Sequence, residues 1–548
     1  KPWKLRLFEV VFSFIFGEFM VNSTKQATPI AVNLFFGLLL AGMSIYFIQW
    51  GLVYTMHQQV LLFMIASFFG IFMAFNIGGN DVANSFGTSV GAGTLSVTQA
   101  LAVAAIFEVS GAVLAGAAVT DTIRSGIVDI GQLGVSPNQF IYLMLSALVA
   151  AAFWLLFATK RGLPVSTTHA IIGGIVGSSI VLGISIGGVD FAFSTVKWSK
   201  IRDIALSWVI SPVLGGALSY LLYSIIKKNI LAYNDKAELV VKTIKAKKKA
   251  LKREQKEYFE TLDDKEKLPY TNALLRDQEA FKDGDCQRDD LETQYYRAIF
   301  DLERRRDNLD TLKALKTWVP LIAALGAVIM TAMVVFKGLA NTGLQLSILQ
   351  AGLVMGMLGA LVWLTAFIYT KTIRGKHKEA LGKATFVMFS WMQVFTACAF
   401  AFSHGSNDIA NAVGPFVAIM DVIKNNAVEA QATVPAPVML TFGVSLIVGL
   451  WFIGKEVIQT VGTNLTEMHP ASGFSAELAA AAVVMGASSL GIPVSSTHIL
   501  VGAVLGIGLV NKNTNWRLMK PIGLAWVITL PAAATISAIS FLLLTYFL

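Results

Sequence analysis

Two aspartates stand in the same frame, Asn80-Asp81-Val82-Ala83-Asn84 and Asn407-Asp408-Ile409-Ala410-Asn411, each beside a long apolar stretch. A carboxylate in such surroundings is costly unless a cation or a proton goes with it. Asn80, Asn84, Asn407 and Asn411 add amide oxygens, completing the oxygen-only donor set that hard cations prefer. Helix capping in a buried turn would use the same side chains and does not exclude a cation. Each frame is followed by a second recurrent stretch, GLPVSTTH from Gly162 to His169 and GIPVSSTH from Gly491 to His498. Asp81 and Pro164 lie 83 residues apart, Asp408 and Pro493 85. Proline suits the first position of a helix, so the residues after it are expected to present free backbone N–H groups at a positive helix end. Ser166, Thr167 and Thr168 add hydroxyls there, and Ser495, Ser496 and Thr497 repeat the set. Two such ends facing each other suit a tetrahedral oxyanion, phosphate or sulfate, gripped without lysine or arginine and therefore releasable. A kinked helix with back-bonded hydroxyls would explain one copy; recurrence in the same order favours a ligand.

Charge balance joins the two chemistries. Two aspartates and an oxyanion cannot share a low-dielectric pocket that has no fixed base unless cations enter too. The pattern implies cation-coupled anion uptake, with Na⁺ on the Asp and Asn oxygens or H⁺ on the carboxylates. Glu108, mid-span by position, Glu477, expected in the first turn of a helix beginning at Ser475, and Gln393 are candidates for coupling or support. His169 and His498 read as hydrogen-bonded structure, and His404 has Ile77 at its matching position in the first copy. An intramembrane hydrolase using Ser166 or Ser495 with the histidine three residues on would need two symmetric nucleophiles and has no specified triad, so the chain is not read as an enzyme. A sulfate permease is the nearer competitor. Phosphate can hand a proton to Asp81 or Asp408, which sulfate at neutral pH cannot.

The elements that must position these residues are membrane helices. Hydrophobic residues make up 55% of the 548-residue chain and charged ones 14%, and the mean hydropathy is +0.64, which excludes a set of ordinary soluble domains. Apolar runs near 20 residues fall at about 30–53, 58–76, 98–118, 138–159, 165–187, 203–226, 317–336, 345–370, 384–403, 434–453, 475–510 and 521–546. The expected fold is an all-α polytopic membrane protein of about twelve transmembrane segments. Its expected parts are an N-terminal extension (1–57) with one or two membrane helices, a first transport repeat (58–226), a charged helical loop (227–316) and a second repeat with preceding helices (317–548). Odd parity between equivalent spans makes the repeats inverted, with broken or re-entrant helices at the Gly-x-Pro sites. Between 227 and 316 lie 22 of the 43 Lys and Arg residues and 19 of the 34 acids. That composition predicts a helical pair broken near Leu268-Pro269 and Asp283-Gly284-Asp285, and no nucleic-acid surface. Lys371, Arg374, Lys376, Lys378 and Lys383 fall on the same side as this loop and place it in the cytoplasm; Lys197, Lys200 and Arg202 fall opposite. Cys286 and Cys398 form no readable disulfide or metal pattern.

The stretches GGNDVANSFGTSVGAGTLSVTQA, GLPVSTTH, SHGSNDIANAVGP and GIPVSSTH resemble the paired signatures of the PiT inorganic phosphate transporters, over roughly 60–226 and 380–548. The resemblance implies an inverted-repeat carrier, often a homodimer, that moves phosphate across a plasma membrane (the inner membrane in a bacterium) with Na⁺ or H⁺. Phosphate would lie between the hydroxyl motifs and Na⁺ near Asp81 and Asp408. GGNDVANSFGTSVG and GFSAEL are more similar to the sodium-coupled branch. One departure is Met144, which stands where many sodium-coupled relatives carry a glutamate ten residues before the tryptophan matching Trp154, and it leaves the cation stoichiometry open.

Overall fold

The computed structural model describes residues 29–128, 135–283, 286–307, 313–338, 346–372, 381–428, 434–461 and 466–548. The basic N-terminus and the linker positions Arg374, Lys376 and Lys378 lie outside them. In chain order the helices are α1 (Pro29–Tyr54), α2 (Val60–Ile77), α3 (Ala83–Gly91), α4 (Val97–Ala115), α5 (Ala117–Ser125), α6 (Pro137–Lys160), α7 (Thr167–Gly187) and α8 (Trp198–Ile226). There follow α9 (Ala232–Thr261), α10 (Asp264–Asp283), α11 (Gln294–Asp307), α12 (Lys313–Met333) and α13 (Ile348–Thr372). The chain ends with α14 (Leu381–Asp408), α15 (Ala410–Asn425), α16 (Ala436–Ile453), α17 (Lys455–Gln459), α18 (Pro470–Ser489), α19 (Ser496–Asn511) and α20 (Trp516–Phe547). Twelve helical runs are long and apolar enough to cross a membrane, so this is a multi-pass membrane protein.

The Gly-x-Pro motif stops one helix before it starts another. Gly162 (φ +63°) and Gly491 (φ +67°) are left-handed. Gly162 N–H donates to Thr159 O and Leu163 N–H to Ala158 O; Gly491 and Ile492 repeat the pattern onto Ser488 and Ala487. This paired closure satisfies the last carbonyls of α6 and α18, with the following Leu or Ile as its apolar contact and proline forbidding continuation. The next helix begins only at Thr167 or Ser496. Ser166 and Ser495 are the N-caps, accepting from the His169 and His498 N–H groups at 3.2 Å. Proline therefore does not occupy the first helical position expected of it; it belongs to the stop signal, and the serine is the start signal. The single run 475–510 is accordingly two helices, α18 and α19.

The chain forms two compact units, one of the described parts of 1–220, 333–346 and 393–548, the other of 221–332 and 347–392. In the first, the halves interlock. A β-carbon on Gly78 would stand 1.7 Å from Leu446 O and one on Gly449 1.8 Å from Phe75 O, so α2 and α16 touch backbone to backbone. The mirror crossing joins α14 to α4, where Gly405 would meet Glu108 O at 2.1 Å and Gly111 would meet Phe402 O at 2.0 Å. Likewise α7 packs on α20 and α19 on α8. A third repeat underlies this: Trp208-Val209-Ile210-Ser211-Pro212 of α8 matches Trp526-Val527-Ile528-Thr529-Leu530-Pro531 of α20. Each of these four crossings thus pairs an element of one repeat with an element of the other. Such packing of small residues is what holds helices together where lipid removes the hydrophobic drive.

In the second unit, α9 continues from the end of α8 through a π-helical turn at Lys227–Leu231. The chain then reverses at Leu262 and Asp263, not at Leu268-Pro269; Pro269 lies within α10. Asp283 closes α10, and the expected second break at Gly284-Asp285 falls outside the described residues. Buried Asp277 accepts from the Glu292 and Thr293 N–H groups, both at 2.8 Å, and so holds the start of α11.

Gly449→Ala must force α16 off α2 and is expected to cost about 1–3 kcal/mol or more, seen as a lower melting temperature of the purified protein. Gly352→Ala on α13 has nothing within 4 Å of the new methyl and should leave the melting temperature unchanged.

Candidate functional site

The Asn-Asp frames interrupt their helices. In the first repeat Gly78–Val82 is a π-helical turn carrying Asn80 and Asp81; in the second, α14 ends at Asp408 and α15 begins at Ala410. Each asparagine ties its frame to the Gly-x-Pro link of the same repeat. Asn80 donates to Thr159 Oγ1 and Leu163 O, both at 3.0 Å, and accepts from Val165 N–H at 3.0 Å. The Asn407 amide occupies the equivalent place, 3.0 Å from Ser488 Oγ and against the Ile492–Val494 backbone. Both are fully buried. The frame's first residue is thus a bracket between a broken helix and a broken link.

The second residue carries the charge. Asp81 and Asp408 are each 1% exposed, and each brings a carboxylate oxygen within 4.8 Å of the other and of a His404 ring nitrogen. Thr497 Oγ1 donates to Asp81 Oδ1 at 2.9 Å, from the opposite repeat. Ser496 Oγ donates to Asp408 Oδ2. His404 Nε2 lies 2.8 Å from the same Oδ2, while His404 Nδ1 and Glu108 Oε2 share a 2.7 Å hydrogen bond. The sequence assigns the anion to the hydroxyls and the cation to the Asp-Asn frames within one pocket; the structure sets the second hydroxyl motif directly on both aspartates. In the first motif Thr168 Oγ1 donates to Val494 O at 2.9 Å and accepts from Asn411 Nδ2 at 3.3 Å. Asn411 Oδ1 is left buried with no hydrogen-bond partner among the described residues. Thr167 and Ser166 are buried at the start of α7. The side chain of Asn84 lies outside the described residues.

Glu477 is not in a first turn. Helix α18 starts at Pro470 behind a His469 cap, which puts Glu477 in the second turn and fully buried. It accepts from Thr88 Oγ1 (2.7 Å), Ser89 Oγ, Gln393 Nε2 (3.1 Å) and Thr396 Oγ1 (2.8 Å). Gln393 Oε1 in turn accepts from Thr94 Oγ1 at 2.5 Å. Thr88, Ser89, Thr94 and Thr396 do not stand out in the sequence because hydroxyls in apolar helices usually bond their own backbone; the available signal is that Thr88, Ser89 and Thr94 all lie within 14 residues of Asp81. Met144, at the position of the missing glutamate, is fully buried in α6. His169 and His498 meet edge to face, ring centres 4.5 Å apart, against Trp208 (3.7 Å) and Trp526 (3.8 Å) respectively. Their Nε2 atoms have no hydrogen-bond partner among the described residues, so at those atoms ring packing replaces the hydrogen bonding expected of them.

Residues 77–537 match the phosphate transporter family. The chain belongs to that family. It is 56% identical over 508 residues to a protein described as a phosphate permease from Mycobacterium bovis, covering 92% of each chain. A protein described in the same way from Pyrococcus abyssi is 32% identical over 477 residues, 87% of this chain and 96% of that one. Among solved structures, one described as the sodium-dependent phosphate transporter superposes with a TM-score of 0.67 at 30% identity, over 89% of this chain and all of that one. Members of the phosphate transporter family are transporters and not enzymes, which sets the hydrolase reading aside.

Asn80→Ala would strand the Val165 N–H and the Leu163 carbonyl and is expected to cost roughly 2–4 kcal/mol. Ser495→Ala removes only a cap and should cost about 1 kcal/mol. Thermal melting of the two purified variants should rank them in that order.

Proposed function

We propose that this phosphate transporter is a symporter that imports inorganic phosphate with a cation, Na⁺ in preference to H⁺. The observation that carries the reading is the gathering of Asp81 and Asp408 around the hydroxyls of Thr497 and Ser496. Two like charges no more than 4.8 Å apart repel by about 3 kcal/mol or more at an effective dielectric near 20. A cation between them removes that cost and supplies the positive charge that an incoming phosphate needs. It also changes what the hydroxyls do. Without it, Ser496 and Thr497 donate their hydrogen bonds to the carboxylates; with the carboxylates engaged by Na⁺, those donors become available to phosphate. Cation first and phosphate second is the order this arrangement favours, and that order is the coupling.

In this reading Ser166, Thr167, Thr168, Ser495, Ser496 and Thr497 hold phosphate. Asp81, Asp408, Asn80, Asn84, Asn407 and Asn411 form the cation side, with the orphaned Asn411 Oδ1 as a ready ligand oxygen. The sodium dependence of the similar solved transporter supports the choice of ion. The transport repeats are 58–226 and 317–548, the 227–316 loop is cytoplasmic, and the working form is a homodimer in the plasma membrane.

Uptake of radiolabelled phosphate into proteoliposomes at fixed pH should rise with an inward Na⁺ gradient and fall little in excess sulfate. Uptake driven by a pH step and indifferent to Na⁺ would reassign the ion, and equal competition by sulfate would reassign the substrate. Thr497→Val should cut uptake about 10- to 100-fold, the value of a hydrogen bond to a charged group, whereas Thr497→Ser should retain most of it.

A further inference from the structure

The interlocked repeats contain their own control experiment. Gly405 packs on the Glu108 carbonyl as Gly78 packs on that of Leu446, an added β-carbon standing 2.1 and 1.7 Å away, so Glu108 and Leu446 are structural equivalents, as are His404 and Ile77. In the first repeat the aspartate is therefore backed by two fully buried aliphatic side chains, Ile77 and Leu446. In the second it is backed by a buried acid and a buried imidazole: Glu108 Oε2 to His404 Nδ1 at 2.7 Å, then His404 Nε2 to Asp408 Oδ2 at 2.8 Å. Helix packing does not require the polar pair, because the same crossing closes with leucine and isoleucine. Burying it is costly, and its far end stops at the carboxylate that faces the site.

We propose that Glu108 and His404 are positioning residues that hold Asp408 in its liganding orientation before any cation arrives, so that the two cation sites are unequal. Asp408 is preformed. Asp81, which has the Thr497 hydroxyl at 2.9 Å but no equivalent brace behind it, is completed by its cation. This inference rests on the cation-coupled reading above. The arriving ion has less ordering to impose at a carboxylate that a hydroxyl and an imidazole both hold than at one held by a hydroxyl alone, which translates into tighter binding at Asp408.

Binding of ²²Na⁺ to purified protein without phosphate tests it, alongside the Na⁺ dependence of phosphate uptake. Wild type should show two classes of Na⁺ site. Glu108→Leu with His404→Ile, which installs at the Asp408 crossing the residue types found at the Asp81 crossing, should remove the tighter class and raise the half-saturating Na⁺ for uptake about tenfold. The phosphate KM at saturating Na⁺ should stay within about twofold, since the brace acts on Asp408 and not on the anion. Glu108→Gln, which keeps an acceptor for His404 Nδ1–H, should restore most of the Na⁺ affinity. Should the double variant fail to fold, Glu108→Leu alone carries the comparison, Leu446 having shown that leucine fits the equivalent crossing. An unchanged Na⁺ curve in the leucine variants, equal shifts in Na⁺ and phosphate affinity, or a glutamine variant as damaged as the leucine one would overturn the proposal. Wild-type protein that binds no ²²Na⁺ would instead overturn the sodium reading beneath it.

Discussion

Two carboxylates buried side by side govern this molecule. Asp81 and Asp408 come from repeats 327 positions apart in the chain, yet their oxygens lie within 4.8 Å. Nothing about apolar packing brings like charges together. The arrangement persists because every neighbouring group is turned toward it: hydroxyls donate, the asparagines pin the backbone on either side, and an imidazole stands against one of the two.

What permits the approach is backbone contact through glycine. With no side chain at Gly78, Gly405, Gly111 or Gly449, the broken helices of one repeat slide against the intact helices of the other. The symmetry is one of backbone, and individual side chains depart from it. Glu108 faces Leu446's equivalent crossing, and Glu477, with its ring of donors, corresponds by repeat alignment to Leu148, a fully buried apolar residue. Thr122 Oγ1 reaches across to Gly491 O at 2.8 Å, while its counterpart Thr460 donates, among the described residues, to Glu456 O at 3.0 Å.

The fold is legible in the sequence because lipid leaves few options: apolar runs of the right length become helices, and a duplicated motif becomes a duplicated structure. The frames at Asp81 and Asp408 and the hydroxyl motifs are legible too, because polar groups at regular spacing in apolar surroundings have few other uses. Three things are not. What proline tolerates puts Pro164 and Pro493 at helix starts, when the left-handed glycine before each has already decided where the helix ends. Glu477 looks like a helix-start residue because its donors lie on α3 and α14, far off in the chain. The brace on Asp408 cannot be read from Glu108 or His404 singly, since no local pattern says that helices 296 residues apart will cross at a glycine.

Interlocking has a consequence for how the protein is made. When the ribosome has finished α8, the grooves at Gly78 and Gly111 are open, and Asp81 has no Thr497 to donate to it; the helices that fill those places are still hundreds of residues away. Chains ordinarily fold domain by domain as they emerge, but here the first repeat cannot be a domain until the second exists. It must wait in the bilayer with a buried charge and bare backbone, and the charged helices between the repeats are synthesised during that wait. The most exposed moment in the life of this transporter is its half-finished state.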